Sequence, residues 1–164
     1  MDLNVPITAD GRLVAFGSAA TNLVSTNINA NCPMFQGVGC SAVFVRDTCT
    51  GAPSGCAPST SLASLANDGS TGNCSSPGNV GGLTMSAGGR YVAFGFGAAS
   101  GCVQSTVRAS LANYAGPGVS RNNISNYSEI SADGHYIVFV SAATNFLPTP
   151  SNGHAMVWLA KSGF

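Results

Sequence analysis

The apolar positions of this chain come in short runs, and three of the runs sit inside one recurring phrase. Residues 9–18 read ADGRLVAFGS, residues 87–96 read AGGRYVAFGF, and residues 132–141 read ADGHYIVFVS. Each copy opens with a turn. Asp10-Gly11 and Asp133-Gly134 favour a tight one, because Gly accepts positive φ and Asp bonds its own backbone; Gly88-Gly89 lacks only the carboxylate. The apolar runs 13–16, 91–94 and 136–139 follow. Bounded by turn signals and rich in β-branched and aromatic residues, they predict strands buried on both faces. Residues 5–8, 82–85 and 128–131 predict the partner strand before each turn, so each phrase predicts a β-hairpin.

The echo extends downstream. Ala19-Ala20-Thr21-Asn22-Leu23 returns as Ala142-Ala143-Thr144-Asn145-Phe146, and the run 43–47 is answered by 157–161, which predicts a third strand. The string ASLAN at 63–67 recurs unchanged at 109–113 and predicts a fourth. Self-similarity at this spacing marks a repeat architecture, and four antiparallel strands make one blade of a β-propeller. The expected fold is therefore all-β, with a first blade over about 3–69, a shortened second over about 79–116, and a third over about 126–164 that lacks its fourth strand. Phe16 to Phe44 is 28 residues and Phe139 to Trp158 is 19; the extra nine hold Cys32 and Cys40 and predict a surface insertion.

These residues resemble the WD40-like, TolB-type propeller repeat, often called PD40. Its usual form is a Ser-Ala-Asp-Gly-Arg-Tyr-Val-Ala-Phe hairpin, then Ala-Thr-Asn-Leu-Val, then Val-Phe-Val-Arg-Asp. The first copy matches over 9–24 and 43–47, the third over 131–147 and more loosely over 157–162, and the second only around 86–94. The resemblance implies an exported bacterial protein with six or more blades. It also implies a loop between the second and third strands that is often rich in Asp. Here that loop reads 25–31, and later 148–153, with no carboxylate in either. No cofactor or metal is expected.

Composition narrows the function classes. Two and a half blades cannot close a ring, since a blade takes about 40–45 residues and a ring at least four blades. The gap is expected to be filled by other copies or by more protein, because an unpaired strand edge is a template for another chain. Charge is scarce: six Lys plus Arg balance six Asp plus Glu. That excludes the basic patch of a nucleic-acid binder. No apolar run approaches the roughly 20 residues of a membrane span. The six cysteines point to an oxidising compartment. Short-loop closure pairs Cys49 with Cys56 and, inside the insertion, Cys32 with Cys40. Cys74 and Cys102 remain as the third pair. Zinc is disfavoured, as no Cys-x-x-Cys occurs. The start, Met1-Asp2-Leu3-Asn4, lacks the basic and apolar stretches of a secretory signal, so a signal segment is expected upstream. The location expected is extracellular or periplasmic.

Candidate chemistry is thin. His135 takes the Arg position of the turn and reads as a surface residue; His154 lies in a loop with no partner evident in sequence. No Gly-x-Ser-x-Gly elbow occurs. Asp10 and Asp133 are expected to close their own turns, and Arg46-Asp47 to form a structural pair or solvated edge. Trp158, Tyr91, Tyr136, Phe16, Phe94 and Phe139 are expected in packing, with Phe96 and Trp158 as exceptions where a blade face is exposed; Phe96, Trp158 and Phe164 are the candidate interface residues. Asn73, Asn123 and Asn126 begin N-x-S/T sequons and are candidate glycosylation sites. The reading that follows is a non-enzymatic extracytoplasmic module. It would bind protein or glycan, or self-assemble by completing the unfinished blade with a strand from a neighbour. The alternative is the propeller part of a larger TolB-like or peptidase-associated protein, whose catalytic domain lies elsewhere.

Overall fold

The computed structural model describes residues 5–32, 39–65, 69–71, 82–95, 125–144 and 153–161. Every regular element among them is a β-strand. In chain order these are β1 (Leu13–Ser18), β2 (Ala42–Asp47), β3 (Ser59–Leu62), β4 (Leu83–Met85), β5 (Val92–Phe94), β6 (Ser125–Ile130), β7 (Tyr136–Ser141) and β8 (Met156–Lys161). They form three antiparallel sheets ordered β1-β2-β3, β4-β5 and β6-β7-β8. The all-β expectation holds, as three small sheets with no helix among the described residues.

Each phrase does form a hairpin turn, and all three turns are built alike. The Gly11 N–H donates to Thr8 O, Gly89 to Ser86 O and Gly134 to Ser131 O, at 2.8–2.9 Å. All three glycines have φ between 69° and 80°, where a side chain is strained. The hairpin ladders differ. β4 pairs with β5 from Leu83↔Phe94 to Met85↔Val92, and β6 with β7 from Ser125↔Ser141 to Ile130↔Ile137 across a bulge. Ahead of β1, pairing reduces to one bridge, Ile7↔Val14, made by the Thr8 N–H to Leu13 O and Ala15 N–H to Pro6 O bonds. Pro6 has no N–H to give, so a full strand over 5–8 is not sustained.

The third strands lie where the pattern put them: β2 pairs with β1 through Phe16↔Phe44, and β8 with β7 through Phe139↔Trp158. The fourth strand is corrected. It is Ser59–Leu62, and 63–65, the described part of the expected 63–67, lie past its end; it pairs from Asp47↔Ser59 to Phe44↔Leu62. Just past it, the N–H groups of Ala63 and Ser64 both donate to Val43 O, and the Ser64 hydroxyl accepts from Val43 N, which ends the ladder. Leu65 keeps only a bridge to Thr71. The matching string at 109–113 lies outside the described residues.

The sheets pack in chain order: β1 lies against β4, and β6 lies against β4 and β5. Side chains alternate across a strand, so directly paired residues share a face. One face of the first sheet carries Ala15, Val43 and Val45, which pack with Leu83, Met85, Val92 and Phe94 of the second. Its other face carries Phe16 and Phe44, with ring centroids 5.7 Å apart, covered by Leu23, Val24, Ile28 and Leu62. In the third sheet Phe139, Trp158, Ile137 and Ala160 pack with Ala143. The opposite face is not buried, contrary to the two-sided burial expected of this run. Tyr136, Val138, Val157 and Leu159 are exposed there.

Candidate functional site

The polar groups of the turns are spent on the turns themselves. The Thr8 hydroxyl donates to Asp10 Oδ1 at 2.6 Å and accepts from the Leu13 N–H at 2.9 Å, while the Arg12 N–H donates to the same carboxylate oxygen at 3.0 Å. Ser131, Asp133, His135 and Tyr136 repeat this with distances of 2.6, 3.0 and 2.9 Å. In the middle copy Ser86 accepts from the Tyr91 N–H at 3.1 Å, and Gly88 stands where the Asp would be. The Thr8 hydroxyl holds the Asp10 carboxyl below the usual carboxylate range, aided by the Arg12 N–H. The Ser131 hydroxyl, then the His135 N–H, does the same for Asp133. The hydroxyl residue two places before each Asp or Gly was not singled out by the sequence reading. Its signal is visible, since Thr8, Ser86 and Ser131 occupy one position of the phrase.

Arg12 and Asp47 form a two-pronged ion pair, Nε to Oδ1 at 3.1 Å and Nη2 to Oδ2 at 2.9 Å. This planar match is the geometry that gives Arg–carboxylate pairs their direction. The Arg12 guanidinium holds the Asp47 carboxyl low, and the Cys49 N–H adds to it; Asp47 in turn raises Arg12. The pair ties the first turn to the end of β2. Arg46 reaches across to the Thr60 hydroxyl at 3.1 Å instead. In the third sheet Lys161 pairs with Tyr136 where Asp47 pairs with Leu13, so His135 faces no matching carboxylate at that position. His135 Nδ1 instead lies 3.9 Å from its own turn's Asp133. His154 is exposed.

Among the described residues two disulfides are present, Cys32–Cys40 and Cys49–Cys56, with Cα–Cα distances of 6.0 and 5.8 Å, inside the range such a bridge spans. Cys74 and Cys102 lie outside the described residues, as do Asn73, Asn123, Phe96 and Phe164. Among the described residues one cluster has metal-ligand types, Asp47 with Cys49 and Cys56, but the two sulfurs are bonded to each other. A thiolate is what a metal takes, so the cluster offers a single carboxylate. Asn126 lies on β6 opposite Val140, beside the bulge where Tyr127 takes φ 54°.

What stands out is the apolar face of the third sheet. Val157 is 72% and Leu159 68% exposed, with Tyr136 and Val138 beside them. Trp158 is not part of it. It faces the other way, into the cluster with Phe139, and its indole N–H donates to Ser141 O at 3.2 Å. Glu129, paired with Val138, and Lys161, paired with Tyr136, flank these apolar side chains on the same face. No family model matches this chain, and no curated protein or solved structure matches it. No helix among the described residues is long and apolar enough to cross a membrane. The two disulfides are what an oxidising, extracytoplasmic setting sustains.

Proposed function

We propose that this chain is a non-enzymatic, extracytoplasmic binding module built from successive propeller-type blades, the last of which presents an uncovered face. The observation that carries it is the uncovered face of the last sheet: Tyr136, Val138, Val157 and Leu159 lie in water at positions whose counterparts in the first sheet are packed under the second. Three consecutive hairpin units, stacked in chain order and carrying one recurring turn, support the blade reading. With its N-terminal bridge segment the first sheet approaches the four strands of a blade. The polar groups support a binding role over catalysis, because the Asp, Ser and Thr groups of the turns and the Arg12–Asp47 pair all hold backbone or each other in place. The partner class is a protein surface, with a further copy or an exported protein as candidates, because Val138, Val157 and Leu159 form the middle of the face and its polar groups, Glu129, Tyr136 and Lys161, flank them.

Electron microscopy of the secreted protein tests the proposal. The expected image is a set of blades around one axis, with protein density against the outer face of β7 and β8. Sheets that do not share an axis, or that face bare in the assembled particle, would end the reading.

A further inference from the structure

The two junctions between successive sheets are built alike. Where the first sheet meets the second, Leu83 and Met85 press onto Ala15, Val43 and Val45, and the turn glycine Gly89 sits over Leu13 so closely that a Cβ there would collide with its side chain. The second junction repeats the device. Gly134 sits over the Tyr91 ring with no room for a Cβ, the Ala87 N–H donates to Ala132 O at 3.0 Å, and Thr84 and Ala93 are buried. Each junction therefore joins the front of one hairpin unit to the back of the unit before it.

The recurring phrase and the strand registers identify the same positions at the two ends. Phe16↔Phe44 and Phe139↔Trp158 are matched pairs, so Leu13, Ala15, Val43 and Val45 correspond to Tyr136, Val138, Val157 and Leu159. Counting back from the turn, Leu83, Met85 and Gly89 correspond to Val5, Ile7 and Gly11. The back of the last sheet is exposed at all four of its positions. At the front of the first, Val5 is 47% and Ile7 59% exposed. A Cβ on Gly11 would meet only the Thr50 methyl, at 4.0 Å. Gly11 holds φ +73° over open space, while its two counterparts are each seated on the side chain of the unit before.

We propose that the back of the third sheet binds the front of the first sheet of a second copy of this chain, head to tail, through the contacts already made inside the molecule. Val5 and Ile7 of the second copy pack onto Val138, Val157 and Leu159, and its Gly11 seats on the Tyr136 ring. Such an interface is heterologous, and it closes into a ring or runs on as a filament according to the rotation per step. The back face carries one charge of each sign, Glu129 beside Val138 and Lys161 beside Tyr136, so with the chain net neutral no single-sign field opposes the contact. The proposal rests on the binding-module reading and names the partner.

Ile7→Lys and Leu159→Lys test it, because each puts a charge at one end of the interface. Both positions are exposed in the single chain, so both variants keep the melting temperature of the parent at low concentration. Mass is read by light scattering over a concentration series of the oxidised protein. The parent is expected to grow from 16.4 kDa to multiples of it. Each variant alone associates about 100-fold more weakly, the cost of burying an unpaired charge. An equimolar mixture recovers a two-chain particle, since one good front meets one good back. Three results overturn the proposal: a parent that stays monomeric to about 100 µM, association lost with Leu159→Lys but kept with Ile7→Lys, or a mixture that does not recover. A monomeric parent whose back face is covered in the micrographs by a different protein or by further blades would refute self-pairing and leave the binding module standing. A monomer with that face bare would remove both.

Discussion

The carboxylates are where pH acts on this protein. Asp10, Asp47 and Asp133 each accept hydrogen bonds that exist only in the folded chain, and each is held below the usual carboxylate range. A group whose folded pKa is depressed contributes stability that is present above its unfolded value, near 3.9, and is lost as pH falls through the folded value. The melting temperature is therefore expected to be level above about pH 5 and to fall as the pH drops from there towards the folded values. Asp47→Asn, followed by circular dichroism, should melt earlier than the parent at pH 6 and lose less on acidification. An equal slope in both proteins would mean that the Arg12 pair forms without contributing to stability. That outcome has precedent among exposed ion pairs, which are screened by water.

At the scale of elements, the connection between β2 and β3 decides the shape of the first sheet. The Cys49–Cys56 bridge closes that loop, and the Thr48 hydroxyl donates within the same corner, where Gly11 O lies at 3.1 Å and Arg12 O at 3.0 Å. Cys49 itself sits at φ 62°, a left-handed backbone that costs a non-glycine residue free energy and is held by Asp47 accepting from its N–H. With the loop pinched off, the chain re-enters the sheet at Ser59. That explains why the fourth strand precedes the ASLAN string that suggested it. Replacing both cysteines by Ser is expected to cost about 2–3 kcal/mol of unfolding free energy in a denaturant titration, the value for a short cross-linked loop. Protection of β3 amides from hydrogen exchange should drop before that of β1 and β2. Uniform loss over all three strands would show that the bridge steadies the whole sheet and not its edge.

For the whole molecule, one residue type at one repeat position has two fates. Val43 and Val157 are counterparts, but Val43 is fully buried under the second sheet and Val157 is 72% exposed. In dilute protein Val43→Ala is expected to cost roughly 1.5–3 kcal/mol, from two buried methyl groups and the space they leave. Val157→Ala should stay within about 0.5 kcal/mol, as for other surface changes. Equal losses at the two sites, measured by chemical denaturation well below any association, would mean that the back of the third sheet is covered within a single chain. Thr84 adds a second mark of the sheet-to-sheet contact, for its hydroxyl is buried with no hydrogen-bond partner among the described residues. Desolvating it without a bond costs free energy that the packing around Leu83 and Ala93 offsets.

Local physics made much of this protein legible from its residues. Tight turns follow from Asp-Gly and Gly-Gly wherever they occur, short β-branched runs follow from their own backbone preference, and close cysteines find each other. The three hairpin turns, β2, β8 and both observed disulfides could therefore be anticipated. The ladder ahead of β1 could have been trimmed too, because Pro6 lacks an N–H. Tertiary structure alone decided which face of each run is covered. The same alternation places Ala15 under a neighbour and Val138 in water; what differs is that the second sheet packs against Ala15, while Val138 is exposed. Trp158 turned inward and Val157 and Leu159 outward for the same reason, since burial is a property of the neighbour and not of the strand that bears the side chain.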